Sequence, residues 1–178
     1  MALSTIPNNM QAALTLAELP TLTSAQIPAG TPVQITHTKY STQFIYSGSS
    51  WSTFFTANFT PKFADSHIYI EASVNAGKRS SGECQFNHRI LRNGTSLSAA
   101  QHLNQNFVSN YDVFRGPDTA NAALHLFQTY GIIDDNHNTT SQITYTLQMI
   151  CPLDSYPDVY FNYNGRSNSY MKFTEVTQ

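Results

Sequence analysis

The chain has 178 residues and a mass of 19.8 kDa, enough for one domain with a proper core plus an appendage. Its formal net charge of -2 and pI near 6.3 exclude nucleic acid as the main partner, because phosphate binding needs clustered Lys and Arg and the basic residues here are scattered. No apolar run approaches the ~18 residues of a membrane span, and residues 1–20 lack the basic start and apolar core of a signal peptide, so neither membrane insertion nor export is expected.

Charged residues make up 11% and aromatics 12%, where about a quarter of a typical chain is charged. Ser, Thr, Asn and Gln take the place of the missing charge. Such a surface suits built assemblies and carbohydrate binders better than a freely diffusing enzyme.

Residues 1–36 differ in character from the rest of the chain. Pro7, Pro20, Pro28, Gly30 and Pro32 punctuate them, and MQAALTLAEL (residues 10–19) is the one stretch with helix-forming residues. A helix that short is marginal alone. Leu14, Leu16, Leu19, Ile27 and Val33 give more apolar content than a linker carries. The segment is therefore expected to be an attachment arm lying against a partner or sister subunit, with Met10, Leu14, Leu16 and Leu19 as contacts. Residues 37–178 are expected to form one domain.

From Val33 onward short strands alternate with turn chemistry. Residues 33–40 form a mixed strand, 43–46 extend or pair with it, and SGSS (47–50) is a loop. In residues 51–59, Trp51, Thr53, Phe55, Ala57 and Phe59 share one face, which makes Trp51 and Phe55 core anchors. Residues 67–74 set Ile68, Ile70, Ala72 and Val74 against Tyr69, Glu71 and Ser73. NAGKRSSGE (75–83) reads as an exposed loop carrying Lys78 and Arg79.

Residues 84–92 run into Asn93-Gly94, the strongest short hairpin signal, with 95–99 returning. Residues 100–110 are ambiguous, 111–114 and 124–130 are strands, and Asp134 to Asn138 form a turn shaped by Asp and Asn side chains. The clearest element comes next: Ile143, Tyr145, Leu147 and Met149 alternate with Gln142, Thr144, Thr146 and Gln148, the period of a half-buried strand. Val159, Phe161 and Tyr163 alternate up to Asn164-Gly165, and 170–176 close the chain. About eight regularly spaced strands without a periodic helix predict an all-β antiparallel sandwich or jelly roll behind an N-terminal extended arm.

Chemical motifs are sparse. Asp134 and Asp135 beside Asn136 and His137 lack the oxygen-ligand spacing of a calcium loop and do not form the facing pair of a glycosidase. His37, His67, His88, His102, His125 and His137 show no paired-ligand spacing. There is no G-x-S-x-G elbow and no phosphate loop, so no catalytic residue, metal or cofactor is expected. Cys84 and Cys151 read as buried free thiols. Among the ten tyrosines, Tyr111 and Tyr156 lie near loops and join Lys78 and Arg79 as candidate exposed recognition residues.

FNHRILRNGTSLSA (86–99), the 124–130 strand, DDNHNTTSQITYTLQ (134–148), VYFNYNGRSN (159–168) and MKFTEV (171–176) resemble, in that order, a group of tailed-phage virion proteins of tail-fibre and head-decoration type. ANFTPKFADSHIYIEASV (57–74) is similar to the matching upstream segment. The resemblance implies a β-sandwich, usually trimeric, displayed on a virion that assembles in the host cytoplasm. Its partners would be sister subunits, other virion proteins through the arm, and a glycan or protein of the host surface. Three other roles stay open: capsid decoration without a receptor role, a lectin-like carbohydrate-binding module, and a polysaccharide depolymerase.

Overall fold

The computed structural model describes residues 22–46, 50–78, 82–97, 112–116, 124–150, 159–162 and 168–178; within them, side chains at 46, 76–78, 82–87, 112–116, 124–130 and 159–160 are not described. Among the described residues a short 3₁₀ turn, Ser24–Gln26, precedes eleven strands: β1 Pro32–Tyr40, β2 Phe44–Tyr46, β3 Ser52–Phe59, β4 His67–Lys78, β5 Gly82–Arg92, β6 Thr95–Ser96, β7 Asp112–Gly116, β8 Leu124–Asp134, β9 Ile143–Ile150, β10 Val159–Phe161 and β11 Ser169–Val176. All pairings are antiparallel. In the first sheet β4 carries β8 along one edge, with β11 and then β10 end to end along the other. β1 pairs with β11 and β2 with β10.

The second sheet follows the path β3-β9-β5, with β6 and β7 both on β5. The eight longer strands thus pair as β1-β11-β4-β8 and β3-β9-β5-β7. Among the eight longer strands the chain crosses between layers at every step except β5 to β7, which pair with each other, and the last pairs with the first, which is the double Greek key of a jelly roll. The fold expected from the alternation is present.

Strand β9 buries Ile143, Tyr145, Leu147 and Met149 and leaves the residues between them half-buried. In β4, Ile68, Ile70, Ala72 and Val74 are buried as the pattern predicts, and Ser73 on the opposite face is buried as well. Phe59 stacks on Phe173 and Tyr145 packs on the same ring, both at 5.2 Å, joining the two layers. The Asn93-Gly94 turn forms with both residues at positive φ (48° and 86°). Its Asn93 is tied to Thr144 of β9 by hydrogen bonds of 2.8 and 2.9 Å.

Three expectations are corrected. The loop of residues 75–83 is mostly strand: β4 runs to Lys78 against β8, and β5 begins at Gly82 against β7. Asp134 ends β8 and does not lie in the turn. In β3 the register against β9 slips between Thr53 and Phe55.

That bulge inserts one residue, so Phe54 and Phe55 both enter the core while Trp51 is 37% exposed. Strict alternation therefore put Trp51 on the wrong face. Phe54 lies 4.8 Å from Phe161 and 5.3 Å from Phe55, ring centre to ring centre. Phe54→Ala is expected to cost about 3–5 kcal/mol, whereas Trp51→Ala costs about 1 kcal/mol. Denaturant unfolding of the two variants checks this, and equal losses would return Trp51 to the core.

Candidate functional site

The outer face of the β3-β9-β5 sheet is a band of hydrogen-bonding side chains. Thr53, Gln148 and Arg89 stand in one cross-strand row. Arg89 Nε donates to Gln148 Oε1 at 2.9 Å, and Gln148 Nε2 donates to Thr53 Oγ1 at 3.3 Å. Further along, the Thr56 and Thr146 hydroxyls lie 3.4 Å apart, and Thr144 Oγ1 donates to Asn58 Oδ1 at 3.0 Å. The Arg89 guanidinium sits 4.3 Å from the ring centre of exposed Trp51. Among the described residues Arg89 is the charged member of this band, which presents donors, acceptors and an aromatic edge. Among the described residues it contains no nucleophile and base pair.

Two acidic clusters lie inside the sandwich. Asp134, fully buried, accepts from Arg92 Nη1 through Oδ1 at 2.7 Å and from the Tyr145 hydroxyl through Oδ2 at 2.7 Å. Arg92 also donates to Asn136 at 3.0 Å. Burial first, then the neighbouring Asp134 charge and its hydrogen bond, push the Tyr145 phenol far above the ordinary tyrosine value.

Glu175, also fully buried, accepts from the backbone amides of Lys62 and Phe63 (2.9–3.0 Å), from Ser66 Oγ (2.7 Å) and from the Gln34 amide. Ser66 Oγ lies 3.3 Å from His137 Nε2. The set Ser66, His137 and Glu175 has the residue types of a nucleophilic triad, but the carboxylate bonds the serine and not the imidazole. The His137 nitrogens face the backbone carbonyls of Ser66 (2.9 Å) and Thr139 (3.0 Å). Ser66 is 1% exposed, so its hydroxyl is out of reach of a substrate. The cluster ties the residues after β3 to the last strand.

These two clusters were missed from the sequence, although a signal was there. Glu175 falls on the inward register of Met171 and Phe173, and Asp134 on that of Ile132. Asp134 pairs with β5 and β9 side chains instead of shaping its own turn, whereas Asn138 does bond locally, to Asn136 O at 3.0 Å. Of the expected recognition residues, Lys78 ends β4 with its side chain not described, and Arg79, Tyr111 and Tyr156 lie outside the described residues. So do Met10, Leu14, Leu16 and Leu19 of the arm. Among the described residues no group of three or more His, Cys, Asp or Glu could hold a metal ion, and no helix is long and apolar enough to cross a membrane.

No family description and no curated protein matches the chain. Solved structures of infectious bursal disease virus are similar in architecture. The Gx-strain structure has a TM-score of 0.46 at 12% identity, over 84% of this chain and 34% of that one. The VP2 subviral particle gives 0.45 at 13% identity, over 83% and 40%. The T13 particle gives 0.43 at 12%, over 84% and 36%. This chain therefore spans well under half the length of those proteins, and at such values the likeness concerns layered β architecture alone.

Removing the Tyr145 hydroxyl leaves Asp134 Oδ2 short of its donor, so Tyr145→Phe is expected to cost about 1.5–3 kcal/mol near neutral pH. The raised phenol value stabilises the fold below the ordinary tyrosine value of 10.0, and that contribution is lost as pH rises above it, by up to ~1.4 kcal/mol per unit. The phenylalanine variant should show a shallower alkaline loss of stability. An identical slope in both proteins would remove Tyr145 from the alkaline transition. Glu175→Ala should speed amide exchange at Lys62 and Phe63 before that of β9.

Proposed function

We propose that the protein is a non-catalytic structural subunit of a virus particle, of the tailed-phage tail-fibre or head-decoration type. The observation that carries the reading is the outer face of β3, β9 and β5. Among the described residues it carries one charge, Arg89, and its other polar side chains are Thr, Asn and Gln that hydrogen-bond one another across the strands. A jelly roll presents such a face rigidly, and jelly rolls build capsids and lectins alike. The sequence resemblance supplies the phage assignment. Subunits pack as a homotrimer through Thr, Asn, Gln and Tyr surfaces, the segment before β1 attaches to other virion proteins, and end loops meet the host surface.

A lectin-like role is favoured by one feature, the exposed Trp51 held by Arg89 beside Gln148 and Thr53. A depolymerase is disfavoured, since Asp134 is fully buried and committed to Arg92 and Tyr145.

Antibodies raised against the folded protein, viewed on intact particles by electron microscopy, test the assignment. Label on the tail supports a fibre and label on the head supports decoration, while particles that lack the protein altogether would refute a virion role. Light scattering at micromolar concentration should give a trimer mass, and a monomer would count against the interface. Glycan-array binding abolished by Trp51→Ala would instead establish the lectin reading.

A further inference from the structure

Beside the outer edge of β1 lies an open groove of about 550 Å³ walled by Leu22, Ile27, Pro32, Val33 and Phe63, with Lys62 at its rim. That is the size of a ligand cleft, ~300–1,000 Å³, but the walls are almost wholly aliphatic and aromatic. The walls are also braced. Gly30 N donates to Thr177 O at 2.9 Å, Thr177 Oγ1 donates to Pro28 O at 2.7 Å, and Thr177 N donates to Thr31 O at 3.1 Å. Ser24 Oγ donates to Asp65 at 2.7 Å and Lys62 Nζ to Val33 O at 3.2 Å. The groove is thus held open by the last residues of the chain and by the β3–β4 connection. Leu22 on its wall is 52% exposed, and Ile35 on the same edge strand is 55% exposed. Apolar surface of this kind calls for a cover.

The chain itself leads to one. Leu22 follows Leu19 by three residues and Leu16 by six, so those side chains can lie no farther than about 10 and about 20 Å along the chain from the groove wall. We infer that the groove is the seat of the chain's own N-terminal segment, with Leu16 and Leu19 as the residues that fill it. The segment that the virion reading assigns to attachment is then stowed on the free subunit. It must leave this groove, or exchange it for that of a neighbour, to reach another protein. The inference does not depend on which particle the protein belongs to.

A photo-reactive substitution, Leu19→p-benzoylphenylalanine in the full chain, tests it. Irradiation should join position 19 to residues 27–33 or 62–63 of the same molecule, with the mobility of a monomer on a denaturing gel. A cross-link to the same groove in a dimer-sized band would overturn the intramolecular seat in favour of a second copy. Cross-links elsewhere, or none, would overturn the seat itself. In the full-length Leu16→Asp, Leu19→Asp variant, amides of Gly30 and Thr31 should exchange several-fold faster while β9 is unchanged. Unaltered exchange at Gly30 and Thr31 would also overturn it.

Discussion

Two carboxylates placed on the inner face of a sheet set the terms for one end of this sandwich. Gln34, Glu175, Ile68 and Asp134 form one inward row across β1, β11, β4 and β8. Taking such a charge out of water costs several kcal/mol unless its lone pairs are satisfied. Each acid therefore requires a particular set of neighbours. Glu175 requires the amides of Lys62 and Phe63, so the chain leaving β3 is fixed against β11. Asp134 requires Arg92 and Tyr145, so the second sheet is fixed against β8. Apolar packing fills the layer, but it is directionless, and the acids make this end close in one way.

The other end uses a neutral version of the same device. Asn162 is buried at φ 53° and donates through Nδ2 to the carbonyls of Tyr40 (3.0 Å) and Thr42 (3.2 Å). Its Oδ1 accepts from Ser169 Oγ at 2.8 Å, and that hydroxyl in turn accepts from Asn75 N at 3.1 Å. One side chain thus joins the bend after β1, the exit of β10 and the start of β11. Such buried polar groups must be paired wherever strands turn. Most of these hydrogen bonds link residues far apart in sequence, so they join elements that only the folded sandwich brings together.

Where a strand is regular and flanked by turn residues, its position could be seen in the residues alone. β9, β11 and the Asn93-Gly94 hairpin lie where alternation and turn chemistry place them. Trp51 could not be placed that way, because a bulge is a pairing event with β9 and leaves no mark in β3 itself. The stretch after Val74 failed for a related reason. Gly77, Gly82 and polar residues look like a loop locally, yet β8 and β7 supply partners that override propensity. Glu175 and Asp134 were legible as acids on an apolar register, but their partners come from three other strands and a distant connection. Nothing local names them.

The same contrast bears on function. The described clusters around Asp134, Glu175 and Asn162 are buried, while the exposed face of β3, β9 and β5 is dominated by Thr, Asn and Gln beside Arg89. An active site has the opposite character, with reactive groups left reachable and strained or perturbed toward a task. Here the perturbed group, the Tyr145 phenol, is spent on holding Asp134. The buried polar chemistry of the described residues thus fixes the shape of the sandwich. The exposed β1 edge with its aliphatic groove and the Thr-, Gln- and Asn-bearing face of β3 and β9 lie on different layers of the sandwich. One side of the molecule is therefore apolar and the other hydrogen-bonding, so a groove filled by the chain's own segment leaves the sheet face open.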